Sequence, residues 1–417
     1  MKRSRVVVAF SLALLFPFIA PGAIAAKNVA RGLDWPQWRG PGRDAVSAET
    51  GLVRAWPESG PKVVWRAKAG AGYSGVSIAD GRLYTMWDED GKQFLVGLDA
   101  ATGTEQWRQP LGAAFTNSYG DGPRSTPLVD EGLVYAIGTY GLLVAAEGKT
   151  GVPQWQHDLV KEYAAALPAY GYSSSPLAVD GKVVVEAGGK GTAFIAFHKK
   201  TGKLAWATAD DQPAYSSPIA IAIDGVAQVV FWSANGLHAV AADRGNVLWS
   251  YPWETLCPVS GDPLNTATPI FMPPDRIFLS SASGAAALRI ARVDGAFRVE
   301  TLWKSEQLRS DVNTSLLLGD HLYGFDRGIL KSLDAATGEL RWQTRGFERG
   351  SLIAADGTLI VLGEGGNLAL VEATPKAFVQ RATAQVLNGR NWTAPSLAAG
   401  RLYLRNHEEL LCIDLRG

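Results

Sequence analysis

Five histidines are the first residues to weigh for acid–base or metal chemistry: His157, His198, His238, His321 and His407. No two of them stand at a metal-motif spacing. His198 and His238 fall at matching places in neighbouring repeats and read as packed strand residues. The chain has two cysteines, Cys257 and Cys412, again with no metal-site spacing. They fall in distant repeats, which implies two buried free thiols. The run GAGYSG, Gly70 to Gly75, has the letters of a dinucleotide loop. That chemistry needs a helix after the loop. Here a strand follows, so the run reads as a connection. The P-loop-like GKT at Gly148 lacks the glycine five residues earlier. Neither a catalytic residue nor a metal ligand emerges.

A more coherent set surrounds a small residue that recurs two positions before a proline: Ser74, Ser125, Ser174, Ser216, Ala267, Thr314, Gly350 and Thr393 when aligned along the chain. Tyr73, Arg124, Tyr215, Asn313, Arg349 and Trp392 immediately precede six of these. Tyr119, Asp121, Tyr172, Asn265, Arg390 and Asn391 lie close by. Arginine presents a fork of donors that suits carboxylates and other anions. Tyr, Asn and Asp add hydrogen-bonding positions. If the strands carrying them converge, these twelve residues form the mouth of an axial channel. A protein, peptide or small anionic ligand is the expected partner there.

The convergence follows from a repeat. "LDAATGTEQW" from Leu98 returns as "LDAATGELRW" from Leu333. The same glycine-to-tryptophan spacing recurs at Gly103–Trp107, Gly151–Trp155, Gly202–Trp206, Gly245–Trp249 and Gly338–Trp342. Each ending closes a unit of short apolar runs. Turns such as Asp80-Gly81, Asp180-Gly181, Asp224-Gly225 and Asp356-Gly357 separate the runs, a hairpin signal. Each unit therefore reads as four antiparallel strands, A to D, with glycine–tryptophan at the C-to-D turn. Eight A-to-C segments can be counted. Only seven D strands follow them, the last near Phe378. The missing one is "GPKVVWRAKAG", with Trp65 in the tryptophan position. The fold is all-β: an eight-bladed β-propeller of four-stranded antiparallel blades, closed by an N-terminal strand.

The glycine–tryptophan endings resemble the pyrroloquinoline-quinone-like (PQQ-like) repeat, with its A-x-D-x-x-T-G-x-x-x-W docking motif. This is the repeat of quinoprotein alcohol dehydrogenases and of BamB-like outer-membrane assembly proteins. The resemblance spans about Pro61 to Gly417 and implies eight blades. In the dehydrogenases it implies PQQ and Ca²⁺, with two adjacent cysteines and long insertions carrying Glu, Asn and Asp. Here Cys257 and Cys412 are far apart and the blades are short. BamB-like proteins carry a lipidated N-terminal cysteine, which this sequence lacks. The expectation is a non-catalytic binding or scaffolding module with no cofactor and no lipid anchor. The alternative is a PQQ-dependent dehydrogenase, with PQQ and Ca²⁺ as its cofactors.

Composition sets the remaining expectations. Forty basic residues balance forty acidic ones, so no net charge steers the chain to nucleic acid. Lys2, Arg3 and Arg5 precede "VVVAFSLALLFPFIA", and AIAA offers cleavage after Ala25 or Ala26. This reads as a signal peptide over residues 1–26, with a soluble periplasmic or extracellular product and no membrane span. Residues 27–60 form a tryptophan-rich lead-in with Trp35, Trp38 and Trp56. It either packs over the closing blade or channel mouth or recruits a partner. Residues 61–417 are the propeller.

Overall fold

The computed structural model describes residues 33–257 and 261–417. The signal-peptide reading and the first residues of the lead-in lie outside them. Eight sheets surround one axis, each built on a four-stranded antiparallel blade, and one of them carries a fifth strand. Blade 1 shows the plan: strand A Ser77–Ala79, B Arg82–Glu89, C Lys92–Asp99 and D Glu105–Ala113. In blade 8 the D strand is Lys62–Lys68, which pairs with Glu409–Asp414 and places Trp65 opposite Cys412. The N-terminal strand thus closes the ring. Cys257 and Cys412 are both buried, and no disulfide joins them.

The glycine–tryptophan spacing has a cause that crosses blades. In Gly103, Gly151, Gly202, Gly245 and Gly338, φ lies between 67° and 76°. A Cβ at these positions would come 2.4 to 2.8 Å from a tryptophan of the preceding blade: Trp65, Trp107, Trp155, Trp206 and Trp303 respectively. Each turn glycine therefore serves both a left-handed conformation and a close ring approach. The docked indoles also donate forward. Trp65 Nε1 bonds the Ala100 carbonyl at 3.2 Å and Trp107 Nε1 bonds that of Gly148 at 3.0 Å. Blade 5 turns at Asp294-Gly295 on a longer hairpin, and Trp249 donates instead to Gln228 Oε1 within its own blade.

Two positions differ from the sequence reading. The D strand of blade 7 is Gln380–Gln385, and Ala382 holds the register that tryptophan holds elsewhere. Phe378 lies in the preceding turn and packs edge-on against Trp342 at 5.7 Å. In blade 6 the register shifts by one. Strand A begins at Leu316, so Asn313, not Thr314, stands level with Ser125. Blade 6 has no proline at the alignment position, and the error arose there.

The register explains the hydroxyls near the axis. In four places the residue just after the small one reaches the neighbouring blade. Gly75 N–H donates to Thr126 Oγ1, Thr126 N–H to Ser175 Oγ, Ser175 N–H to Ser217 Oγ, and Thr268 N–H to Thr314 Oγ1. Strands A converge as inner edge strands; among the described residues only that of blade 7 has a ladder partner toward the axis, and these hydroxyls satisfy four of the amides left without one.

Candidate functional site

The axis has two ends of different character. Strands A run from the D-to-A loops at the upper end to the A-to-B turns at the lower end. The lead-in occupies the lower end, not the mouth. Trp35 is buried and pairs with Ile78 of blade 1. Val46–Ser47 adds a parallel fifth strand to blade 7. Between them the chain turns sharply, with Arg39, Arg43 and Ala45 all in left-handed conformation. The two arginines point to opposite sides of the axis. Arg39 donates to the Thr314 and Ser315 carbonyls of blade 6, and Arg43 to those of Ser175 and Pro176 of blade 3. Burial holds their pKa values down, to about 10 for Arg39 and about 9 for Arg43. Trp38 bonds Thr268 at 2.9 Å, and Trp56 donates to the Thr383 carbonyl. All three lead-in tryptophans are therefore engaged within the chain.

The upper end is the expected mouth, and the structure brings seven of the twelve predicted residues together there. Tyr73 stacks on Trp392 at 5.5 Å and meets His407 edge-on at 4.4 Å. Arg390 lies over Trp392 at 4.5 Å and donates to the Tyr119 carbonyl, which also accepts from the Tyr73 hydroxyl. Residues 117–122, in the loop from blade 1 to blade 2, thus reach back past blade 1 to the loop entering neighbouring blade 8. Asp121 steadies this bend by accepting from Asn117 N–H at 2.9 Å. Arg124 spends its donors on the Gly120 and Gly122 carbonyls, between the Tyr73 and Phe115 rings. Tyr119 then continues an aromatic series through Tyr170 to Tyr215, each step 5.5 Å.

The other predicted residues are held apart from that cluster. Arg349 pairs with Asp311 at 3.4 Å, across the ring from Arg124. Asn265, Asn313 and Asn391 turn their amides onto loop carbonyls, as Asn391 does with those of Glu364 and Gly389. Tyr172 is buried between blades 2 and 3, with its hydroxyl on the Ala166 and Ala187 carbonyls.

Sequence reasoning missed the groups that hold the loops. Asp88 accepts from Phe115 N–H, Glu186 from Ala214 N–H, and Asp326 from Arg309 N–H. Each is a carboxylate at the upper end of a buried strand B, and that placement was the available signal. Burial pushes Glu186 up to about 8. It also missed His407, which lies in the B-to-C turn of blade 8 at the mouth. Burial and the neighbouring Arg405 and Arg390 push its imidazole down to about 4, so it is neutral at physiological pH. His407 Nε2 and Trp392 Nε1 are buried without protein partners.

A rigid ring of eight docked blades, plugged below and loop-rimmed above, defines the class as an eight-bladed propeller of PQQ-like repeats. The sequence profile described as outer membrane protein assembly factor BamB matches residues 49–171 and 95–344, more than half of the chain, and the chain belongs to that family. A BamB of Burkholderia pseudomallei is 25% identical over 340 residues, covering 78% of this chain and 80% of that one. Among solved structures, BamB from Moraxella catarrhalis superposes with a TM-score of 0.58 at 16% identity, over 84% of this chain and 97% of that one. The quinohemoprotein alcohol dehydrogenase ADHIIG of Pseudomonas putida does so at 0.63 and 14% identity, over 95% and 83%. Both superpositions establish the shared fold. No helix among the described residues is long and apolar enough to cross a membrane.

Proposed function

We propose that the protein is an exported, non-catalytic binding or scaffolding module whose partner, a protein or peptide, docks on the upper face. One observation carries this reading: an exposed aromatic–arginine surface fixed on a rigid ring. Tyr119 is 49% exposed, and its carbonyl anchors Arg390, itself exposed and stacked on Trp392. Aromatic residues and arginine are enriched at protein interfaces and dominate their binding energy. Loops on a rigid scaffold are the usual carriers of recognition.

The dehydrogenase alternative asks for PQQ and Ca²⁺ at this end of the axis, and the donor set does not fit them. Among the described residues no three of His, Cys, Asp and Glu gather to hold a cation. Asp121 and Asp311 are committed to Asn117 N–H and Arg349. Trp392, an aromatic plane at the mouth, already stacks on Tyr73 and Arg390.

Two measurements test the reading. Partners captured from a cell-envelope extract should fall roughly tenfold or more when Tyr119→Ala and Arg390→Ala are combined, the effect of losing interface hot spots. Unchanged capture would move the interface elsewhere. Titration with PQQ and Ca²⁺, followed by dye reduction with alcohols and sugars, should give neither saturation nor turnover. Turnover would restore the dehydrogenase.

A further inference from the structure

The lower face holds a groove of about 1780 Å³ beside the plug. That exceeds the roughly 300–1,000 Å³ of small-molecule pockets. One side is strand A of blade 4, Ile219–Ile223. Leu177 of blade 3 and Phe271 of blade 5 face the same space, and Arg43 of the plug lies at its axial side.

Strand A of blade 4 is unusual in two ways. It has five residues, as does strand A of blade 7, whereas strand A in the other six blades has three. In blade 7 the long strand A carries Val46–Ser47 on its inner edge as a parallel fifth strand. Blade 4 has the same length and, among the described residues, no such partner. The lead-in hydrogen-bonds to strand A, to the residues entering it or to its turn in the seven other blades, but among the described residues it gives blade 4 none. The strand alternates buried Ile219, Ile221 and Ile223 with exposed Ala220 and Ala222. Small exposed residues beside an unpaired edge leave room for another backbone.

Arg43 adds a charge requirement. It is 4% exposed, its Nε has no partner, and no carboxylate among the described residues forms an ion pair with it. A buried cation without a counter-charge is costly, and an incoming anion relieves that cost.

We propose that this groove binds an extended peptide that adds as a fifth strand to the inner edge of strand A of blade 4, with its C-terminal carboxylate directed toward Arg43. The chain's own Val46–Ser47 is the precedent for the strand, and a guanidinium with carbonyl partners but no counter-charge selects the end.

The test uses the whole protein and a soluble library of eight-residue peptides with free C-termini. Captured sequences should be enriched, and backbone amides of residues 219–223 should gain hydrogen-exchange protection. Ala220→Arg with Ala222→Arg changes exposed positions and should keep the melting temperature while reducing capture at least tenfold. Amidating the C-termini of enriched peptides should weaken binding roughly tenfold, as expected for loss of a charge-assisted bond. No enrichment, capture unaffected by the double arginine change, or protection at residues 117–122 instead would overturn the strand addition. Equal binding of the amides would overturn the assignment to Arg43.

Discussion

The docking glycines allow a controlled experiment on what holds the blades together. Gly151 and Gly181 have nearly the same backbone, φ 74° and 71°. They differ in surroundings. A Cβ on Gly151 would meet Trp107 Cε3 at 2.4 Å, whereas one on Gly181 meets nothing within 4 Å. Alanine at either site takes on a left-handed conformation, at about 1–2 kcal/mol. At Gly151 the methyl also displaces the Trp107 ring, which resembles overpacking at about 1–3 kcal/mol. Moving the ring strains its 3.0 Å bond to the Gly148 carbonyl. That bond is worth about 1 kcal/mol. Gly151→Ala should therefore cost about 4 kcal/mol and Gly181→Ala about 1.5 kcal/mol. Urea unfolding followed by tryptophan fluorescence measures both. Trp107→Ala combined with Gly151→Ala should cost less than the sum of the single changes, because the clash disappears with the ring. Equal costs at the two glycines, or additive costs in the cycle, would refute inter-blade docking as the reason for the spacing.

Two further expectations rest on closure and on a buried acid. Removing residues 61–70 unpairs the edge of strand C in blade 8, so the shortened protein should aggregate or melt well below the full chain in a thermal scan. An unchanged melting temperature would contradict closure by the Trp65 strand. Glu186 ordinarily titrates near 4.5 and is held at about 8 in the fold. The folded state keeps a proton that the unfolded state releases, so this stabilisation is full below about 4.5 and is lost as pH rises through about 8. Glu186→Gln retains an acceptor for Ala214 N–H, so its melting temperature should rise relative to the parent between pH 5 and 9 and match it near pH 4. A constant difference across that range would show that Glu186 does not titrate as described.

Blade count, closure and the role of the C-to-D turn were legible in the sequence because each rests on a fixed spacing. Where the spacing mark was missing, the reading slipped. Blade 6 lacks the proline and was placed one residue out, and blade 7 replaces tryptophan with Ala382. The mouth was legible in residue type but not in direction. Nothing in the letters separates Arg390, which stacks on an aromatic ring, from Arg124, which closes its own loop, or from Arg349, which pairs with Asp311. Tyr172 shows the same limit, since one residue's difference along the entering loop turns its ring into the core. The plug was legible only as a tryptophan-rich segment packed on the ring; its end of the axis and its arginine contacts were not. Its arginines bind main-chain carbonyls, and a carbonyl leaves no trace in a side-chain pattern.

That plug also works as a gauge. A ring of near-identical blades has little in its local packing to fix how many blades it should contain, because each docking step knows only its neighbour. Arg39 and Arg43 reach blade 6 and blade 3 from one short turn, while Val46–Ser47 grips blade 7 and Trp35 grips blade 1. These contacts span the bore at fixed lengths. A ring of seven or nine blades would set these four partners at different separations, and one short turn could not keep all four contacts. The lead-in is thus a mandrel on which the circumference is set, and the count of eight is written across the axis as well as around it.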